Sequence, residues 1–141
     1  MAYITSADLE GHISEQVLIQ LTDDQKTGTV NADIVTAAIA DAGAEIDGYV
    51  ATRYAVPVSP VLALIIKLAR DITIKNLYSR RLRVPDDVRK NYESAISMLK
   101  DIAKGTLTLG VDPAPAEASK ASGGEAIGPE RVFDRDKLGS F

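Results

Sequence analysis

A chain of 141 residues and 15.0 kDa makes one compact domain with residues to spare, and is too short for two independent cores. Zero cysteines exclude a disulfide framework, a thiol nucleophile and any Cys-based metal site, and a single histidine, His12, leaves a multi-histidine centre or a Ser-His-Asp arrangement poorly supplied. A formal charge of −4 argues against a chain that coats nucleic acid by bulk electrostatics, and a core without Trp must be filled by Ile, Leu, Val and Ala, which suits packed helices.

Punctuation divides the chain into four helical pieces and a tail. The first, Ser6 to Leu21, places Leu9, Ile13, Val17, Leu18 and Leu21 on one stripe, with Ser6 as its cap and Gly11 as a break before a restart at Ser14. A polar loop, Thr22 to Thr29, leads to Asn31, which reads as the cap of a second helix through about Arg53. Its apolar face is Val35, Ile39, Ala42, Ile46 and Tyr49, while Gly43 and Gly48 lower its intrinsic helicity, so tertiary contacts must hold it. Pro57 stops the chain, and Ser59-Pro60 has the form of a new helix start, Ser as cap and Pro at the first position. This third helix runs to about Arg81 and is apolar nearly all round in its first half, which predicts a central place in the bundle. A fourth helix restarts at Val84-Pro85, carries Val88, Tyr92, Ala95, Leu99 and Ile102 on one face, and ends at Gly105. Thr106 to Leu109 alternates as a short strand would, with no obvious partner strand.

After Gly110 the composition changes. Residues 111–128 are rich in Pro, Ala, Ser and Gly and read as a flexible linker; residues 129–141 form a separate segment with apolar anchors Val132, Phe133, Leu138 and Phe141 in a charged frame. Both phenylalanines of the chain lie there, outside the predicted core of residues 1–110. They either fold back on their own bundle or form a docking arm, and a linker followed by anchors favours the arm. No stretch has the basic start and apolar run of a signal peptide, and the most apolar run, Val61 to Ile66, is cut by Lys67 and Arg70, far short of the ~20 residues of a membrane span. The expected setting is a reducing aqueous compartment.

Charge is segregated along the chain. Residues 1–58 hold nine acids and two bases, and residues 59–105 hold ten bases and five acids. The bases concentrate at Lys75, Arg80, Arg81, Arg83, Arg89 and Lys90. Three arrangements fit: pairing within the molecule, head-to-tail self-assembly of acidic on basic faces, or nucleic acid bound through the arginine turn. The third is the poorest match, because no aromatic platform or glycine-rich phosphate loop accompanies the arginines. Reactive constellations are thin. His12 has no partner set and reads as structural. Asp86-Asp87 suits a helix first turn, and Asp23-Asp24 lies in a loop. Arg53, between Tyr49 and Tyr54, is either a buried organiser of loop carbonyls or an exposed interface anchor. No motif supports an enzyme, and none calls for a cofactor or metal.

Three blocks carry a family resemblance: Tyr3-Ile-Thr-Ser-Ala-Asp-Leu9, Ile46-Asp-Gly-Tyr-Val-Ala-Thr-Arg-Tyr-Ala-Val-Pro57 and Leu77-Tyr-Ser-Arg-Arg81. The match continues through Val84 to Tyr92, Ala95-Ile96 and Ile102 to Gly105, and through Arg131 to Leu138 with Phe141. The sequence resembles a family of Mu-like phage and prophage proteins, first catalogued as a domain of unknown function and similar to head–tail connector (adaptor) proteins. Asp71 to Asn76 departs from it, being more polar than the apolar pattern implied for that helix. The resemblance implies an all-α connector domain over residues 1–110 that assembles as a homo-oligomeric ring beneath the portal. Such a ring would extend the DNA channel, let the genome pass without sequence-specific binding, and dock the tail or stopper. It places the chain at the virion neck, and in the host bacterial cytoplasm during assembly, with no membrane contact. The candidate interface residues are Arg53, Tyr54, Arg80, Arg81, Arg83, Arg131, Phe133, Leu138 and Phe141. The alternative is a small phage-encoded DNA-binding regulator using the turn from Arg80 to Arg83.

Overall fold

The computed structural model describes residues 2–81 and 83–114. Among them are five helices and no strand: α1 (Ser6–Glu10), α2 (Glu15–Thr22), α3 (Ala32–Val50), α4 (Ala63–Arg81) and α5 (Asp86–Lys104). The all-α bundle expected from the spacing is therefore the fold. Its first helical stretch is divided at Gly11, as that glycine suggested. Thr5 rather than Ser6 caps α1: the Asp8 carboxylate accepts from the Thr5 backbone N–H at 2.7 Å and from its hydroxyl at 2.9 Å. The turn that follows drives Ile13 into the core before Ser14 caps α2 by accepting from the Val17 N–H.

Asn31 caps α3 as expected, its side-chain oxygen accepting from the N–H groups of Asp33 and Ile34. Val35, Ile39, Ala42 and Ile46 form the buried face. The helix ends at Val50, and residues through Tyr54 continue as a turn in which the N–H groups of Arg53 and Tyr54 donate to the Val50 carbonyl.

The start of α4 corrects the sequence expectation. Ser59-Pro60 does not open the helix; the Val56–Pro57 and Ser59–Pro60 peptides are both cis and the helix begins at Ala63, with the Leu62 carbonyl accepting from Ile66. The physical reason is a tertiary contact: Val58 is buried and its N–H donates to the Tyr3 hydroxyl at 3.0 Å, which holds the segment out of helical geometry. Once begun, α4 takes the central place predicted for it, packing on each of the other four helices. Ile65, Leu68, Ile72 and Leu77 are fully buried on it, each contributing about 1.5–3 kcal/mol of burial. Its polar stretch is absorbed locally. Thr73 is buried and returns its hydroxyl to the Ala69 carbonyl at 2.7 Å, and Asp71 pairs with Lys67 at 2.8 Å.

Helix α5 stops at Gly105, which adopts φ +84°, the left-handed region in which glycine carries no Cβ penalty. The possible strand at Thr106 to Leu109 is not formed. Leu109 instead turns into the core and its N–H donates to the Tyr54 hydroxyl at 3.2 Å. A lone strand would leave its edge groups unpaired, and this contact removes one of them. The described chain closes at Ala114, whose N–H donates to the Arg53 carbonyl at 2.9 Å.

Candidate functional site

One end of the bundle is built on arginines. The Arg80 guanidinium, at the C-terminus of α4, donates through Nη1 to the Leu21 carbonyl at 3.0 Å, and both of its terminal nitrogens engage the Asp24 carboxylate. Arg81 donates to the carbonyls of Gln20 at 3.1 Å and Asp23 at 2.8 Å and lies 3.5 Å from Asp24. Four terminal carbonyls of an α-helix have no partner within it, and the two arginines supply donors to two of those of α2, Gln20 and Leu21, and to the carbonyl of its cap residue Asp23. The Arg80 contact holds the Asp24 carboxyl below the ordinary carboxylate range. Asp23 is lowered as well, because the N–H groups of Thr27 and Gly28 donate to it in the same loop. The carboxylate pair and the arginine pair, 56 or more residues apart, thus form one corner.

The other end is built on tyrosines. Tyr3 donates its hydroxyl to the Asp47 carboxylate and accepts from Val58, which ties the N-terminal segment to α3 and to the proline loop. Burial first, and then the bond to Asp47, push the Tyr3 phenol up to about 12. Tyr54 is 3% exposed and holds Leu109. Arg53 lies against Gly105: a Cβ built at that glycine would fall 1.3 Å from Arg53 Nη1, so the missing side chain is what admits the guanidinium. Between the ends, Tyr92 donates to Glu45 at 3.0 Å while the Lys75 ammonium sits 4.5 Å from its ring centre.

The candidate interface residues therefore separate. Tyr54 is a core residue, not a surface anchor, and Arg53 is half-buried with its guanidinium against Gly105. Arg80 and Arg81 are engaged within the molecule. Arg83 is exposed. Arg131, Phe133, Leu138 and Phe141 lie outside the described residues. Two features escaped the sequence reading. In the sequence Tyr3 stands only as part of a motif, because its partners lie 44 and 55 residues away. The second is a groove of about 290 Å³ between the start of α2, the middle of α4 and the first turns of α5, walled by Ile13, Val17, Ile74 and Val88 with Asp71 and Asp87 beside them. His12 and Tyr78 also line it.

Among the described residues no group of three or more His, Cys, Asp or Glu is placed to hold a metal ion, and no helix is long and apolar enough to cross a membrane. What the chain presents is a small helical block with braced ends and a groove on its flank. It belongs to the bacteriophage Mu Gp36 family, whose sequence model matches residues 3–127. It is also similar to the Mu-like prophage FluMu protein gp36 of Haemophilus influenzae, at 31% identity over 111 residues, covering 76% of this chain and 74% of that relative. The molecule is a phage protein.

Proposed function

We propose that this protein is a structural head–tail connector that assembles as a ring beneath the portal, extends the DNA channel and offers the tail or stopper a docking surface. Membership in a phage family supplies the setting. The observation that supports a connector role within it is where the charge faces. Asp33 and Asp41 stand exposed on α3, which carries no base, while Arg89, Lys90, Lys100 and Lys104 stand exposed on α5 among the exposed acids Asp86, Asp87 and Glu93, so α3 turns an acidic side outward and α5 a mixed one. Exposed acids on one helix and exposed bases on another are what a head-to-tail contact between identical copies can pair. In this role the protein works by binding its own copies and the portal rather than by turning over a substrate, needs no cofactor, and lets genomic DNA pass without reading its sequence. Its C-terminal segment docks on a neighbouring subunit or the portal. Light scattering on a size-exclusion column, over a range of concentrations and at low and moderate salt, tests the reading. A discrete large oligomer that loosens with salt is expected. A monomer at every concentration that stays monomeric when portal is added rejects it.

A further inference from the structure

The flank groove combines apolar walls with acidic ones. Ile13 is buried in it, and Val17, Ile74 and Val88 are half-buried around the opening. Its two carboxylates differ in what neutralises them. Asp71 is buried and shared with Lys67, whereas Asp87 is exposed and, unlike Asp86 beside it, enters no ion pair among the described residues. At about 290 Å³ the groove falls just below the usual range for a small-molecule site and suits one aromatic side chain with a base at its edge. The chain carries that pairing in its own sequence beyond Ala114. Both of its phenylalanines lie in residues 131–141, and Phe133 stands between Arg131 and Arg135.

Reach selects the copy that supplies it. The described chain leaves the bundle at Ala114, tied to the Arg53 carbonyl at the tyrosine end. The groove lies at the opposite end of α5, and the rise from Val88 to Gly105 is about 25 Å. Residues 115–130, sixteen in number, span by their composition about 20–24 Å on average. Fully extended they reach roughly 50 Å, enough to follow the curved surface of the bundle. A tether whose average length matches the span gives its end group the highest local concentration, on the order of millimolar. A second copy present at micromolar concentration offers its segment at roughly a thousandth of that. The segment on the same chain therefore occupies the groove first.

We propose that in the free chain residues 131–137 dock in the chain's own groove between α2, α4 and α5, with Phe133 against Ile13, Val17, Ile74 and Val88 and a flanking arginine facing Asp87. Apolar insertion supplies the affinity, and the unpaired carboxylate sets the direction of the segment. The inference goes beyond the connector reading. It says where the segment is held before a neighbour or the portal competes for it, and it holds for a chain that never assembles.

The absence of native cysteine makes the test direct. The full chain is given Ser140→Cys with a nitroxide label and isotopically marked Ile and Val methyls, then diluted with a tenfold excess of natural chain bearing neither. The methyl signals of Ile13, Val17, Ile74 and Val88 should lose more than half their intensity, and the loss should be the same before and after dilution. Ile102, near the exit of the tether, should keep its signal. When label and marked methyls are placed on different chains and mixed, the groove signals should stay intact. Phe133→Ser, a change outside the helical core, should restore them in the doubly marked chain. Groove signals that survive in the doubly marked chain, a loss greater at Ile102 than at the groove, a loss that disappears on dilution or appears between different chains, or no recovery with Phe133→Ser each overturns the proposal. If the natural protein forms rings and the groove signals stay intact, the docking fails while the connector reading stands. If the groove signals vanish within one chain and no ring forms with or without portal, the connector reading fails while the docking stands.

Discussion

The two ends of this bundle do the same job with different chemistry. Each ties a loop to helices that are distant in sequence, but one end uses guanidinium groups at the surface and the other uses phenols at the edge of the core. Arg80 and Arg81 can brace α2 while remaining about a third exposed, because charged donors reach the carbonyls without being desolvated. Tyr3 and Tyr54 are 6% and 3% exposed and replace water at N–H groups of Val58 and Leu109 that have left it. An exposed ionic brace is screened by salt and worth little per pair, whereas a buried neutral one is costly to remove. The arginine end is thus the adjustable one, and the tyrosine end is the fixed one.

The comparison can be broken at either end. The largest effect is expected for Tyr54→Ala, which removes a buried ring as well as the partner of Leu109; about 3–5 kcal/mol should be lost, read as the urea unfolding midpoint. Tyr3→Phe keeps the ring and deletes the hydroxyl, leaving the Val58 N–H without its acceptor, for about 1–3 kcal/mol by the same measurement. It also changes the pH profile with a definite sign. The folded-state Tyr3 phenol is raised from an ordinary value of 10.0 to about 12, so its contribution is fully present below pH 10 and is lost as pH rises from there to about 12. Thermal unfolding across that window should fall for the natural chain and flatten for Tyr3→Phe.

Gly105→Ala comes next, at about 1–2 kcal/mol, because the alanine must adopt a left-handed backbone and its Cβ displaces Arg53. Gly48→Ala at an exposed helix site with open space around it should instead stabilise slightly, which separates conformation from contact. Arg80→Ala should give the smallest loss, a few degrees in melting temperature that shrinks as salt is added. Asp24 is held below the ordinary carboxylate range chiefly by Arg80, so its contribution is present above that range and is lost as pH falls through it. Arg80→Ala should therefore soften the acid limb of the stability profile and leave the alkaline limb untouched, the reverse of Tyr3→Phe.

Helices whose faces repeat at three and four were legible from the residues alone, as were the Asn31 cap, the Gly105 stop and the central place of α4. These are local signals, set within one or two turns. What spacing could not supply were the contacts between distant segments. Ser59-Pro60 has every local mark of a helix start, yet Tyr3, 55 residues before Val58, holds the segment out of helical geometry. Thr106 to Leu109 alternates like a strand, yet Tyr54 draws Leu109 inward. The segregation of acids and bases was visible, but that Asp24 would meet Arg80 was not, since pairing within the molecule and pairing between molecules leave the same trace in a sequence. Of the candidate interface, the arginine turn was found as a charged cluster and given its bracing role only by the fold.

The segment from Arg53 to Val58 is where the tyrosine end closes, and it receives both termini of the helical block: Tyr3 reaches Val58 from one side, and Leu109 reaches Tyr54 from the other. A chain emerging from the ribosome can coil its early helices within tens of residues, but it cannot close this knot until Leu109 has left the exit tunnel. The native packing of this end therefore needs every residue through Leu109, and a product that stops short of it lacks the contact that seals it.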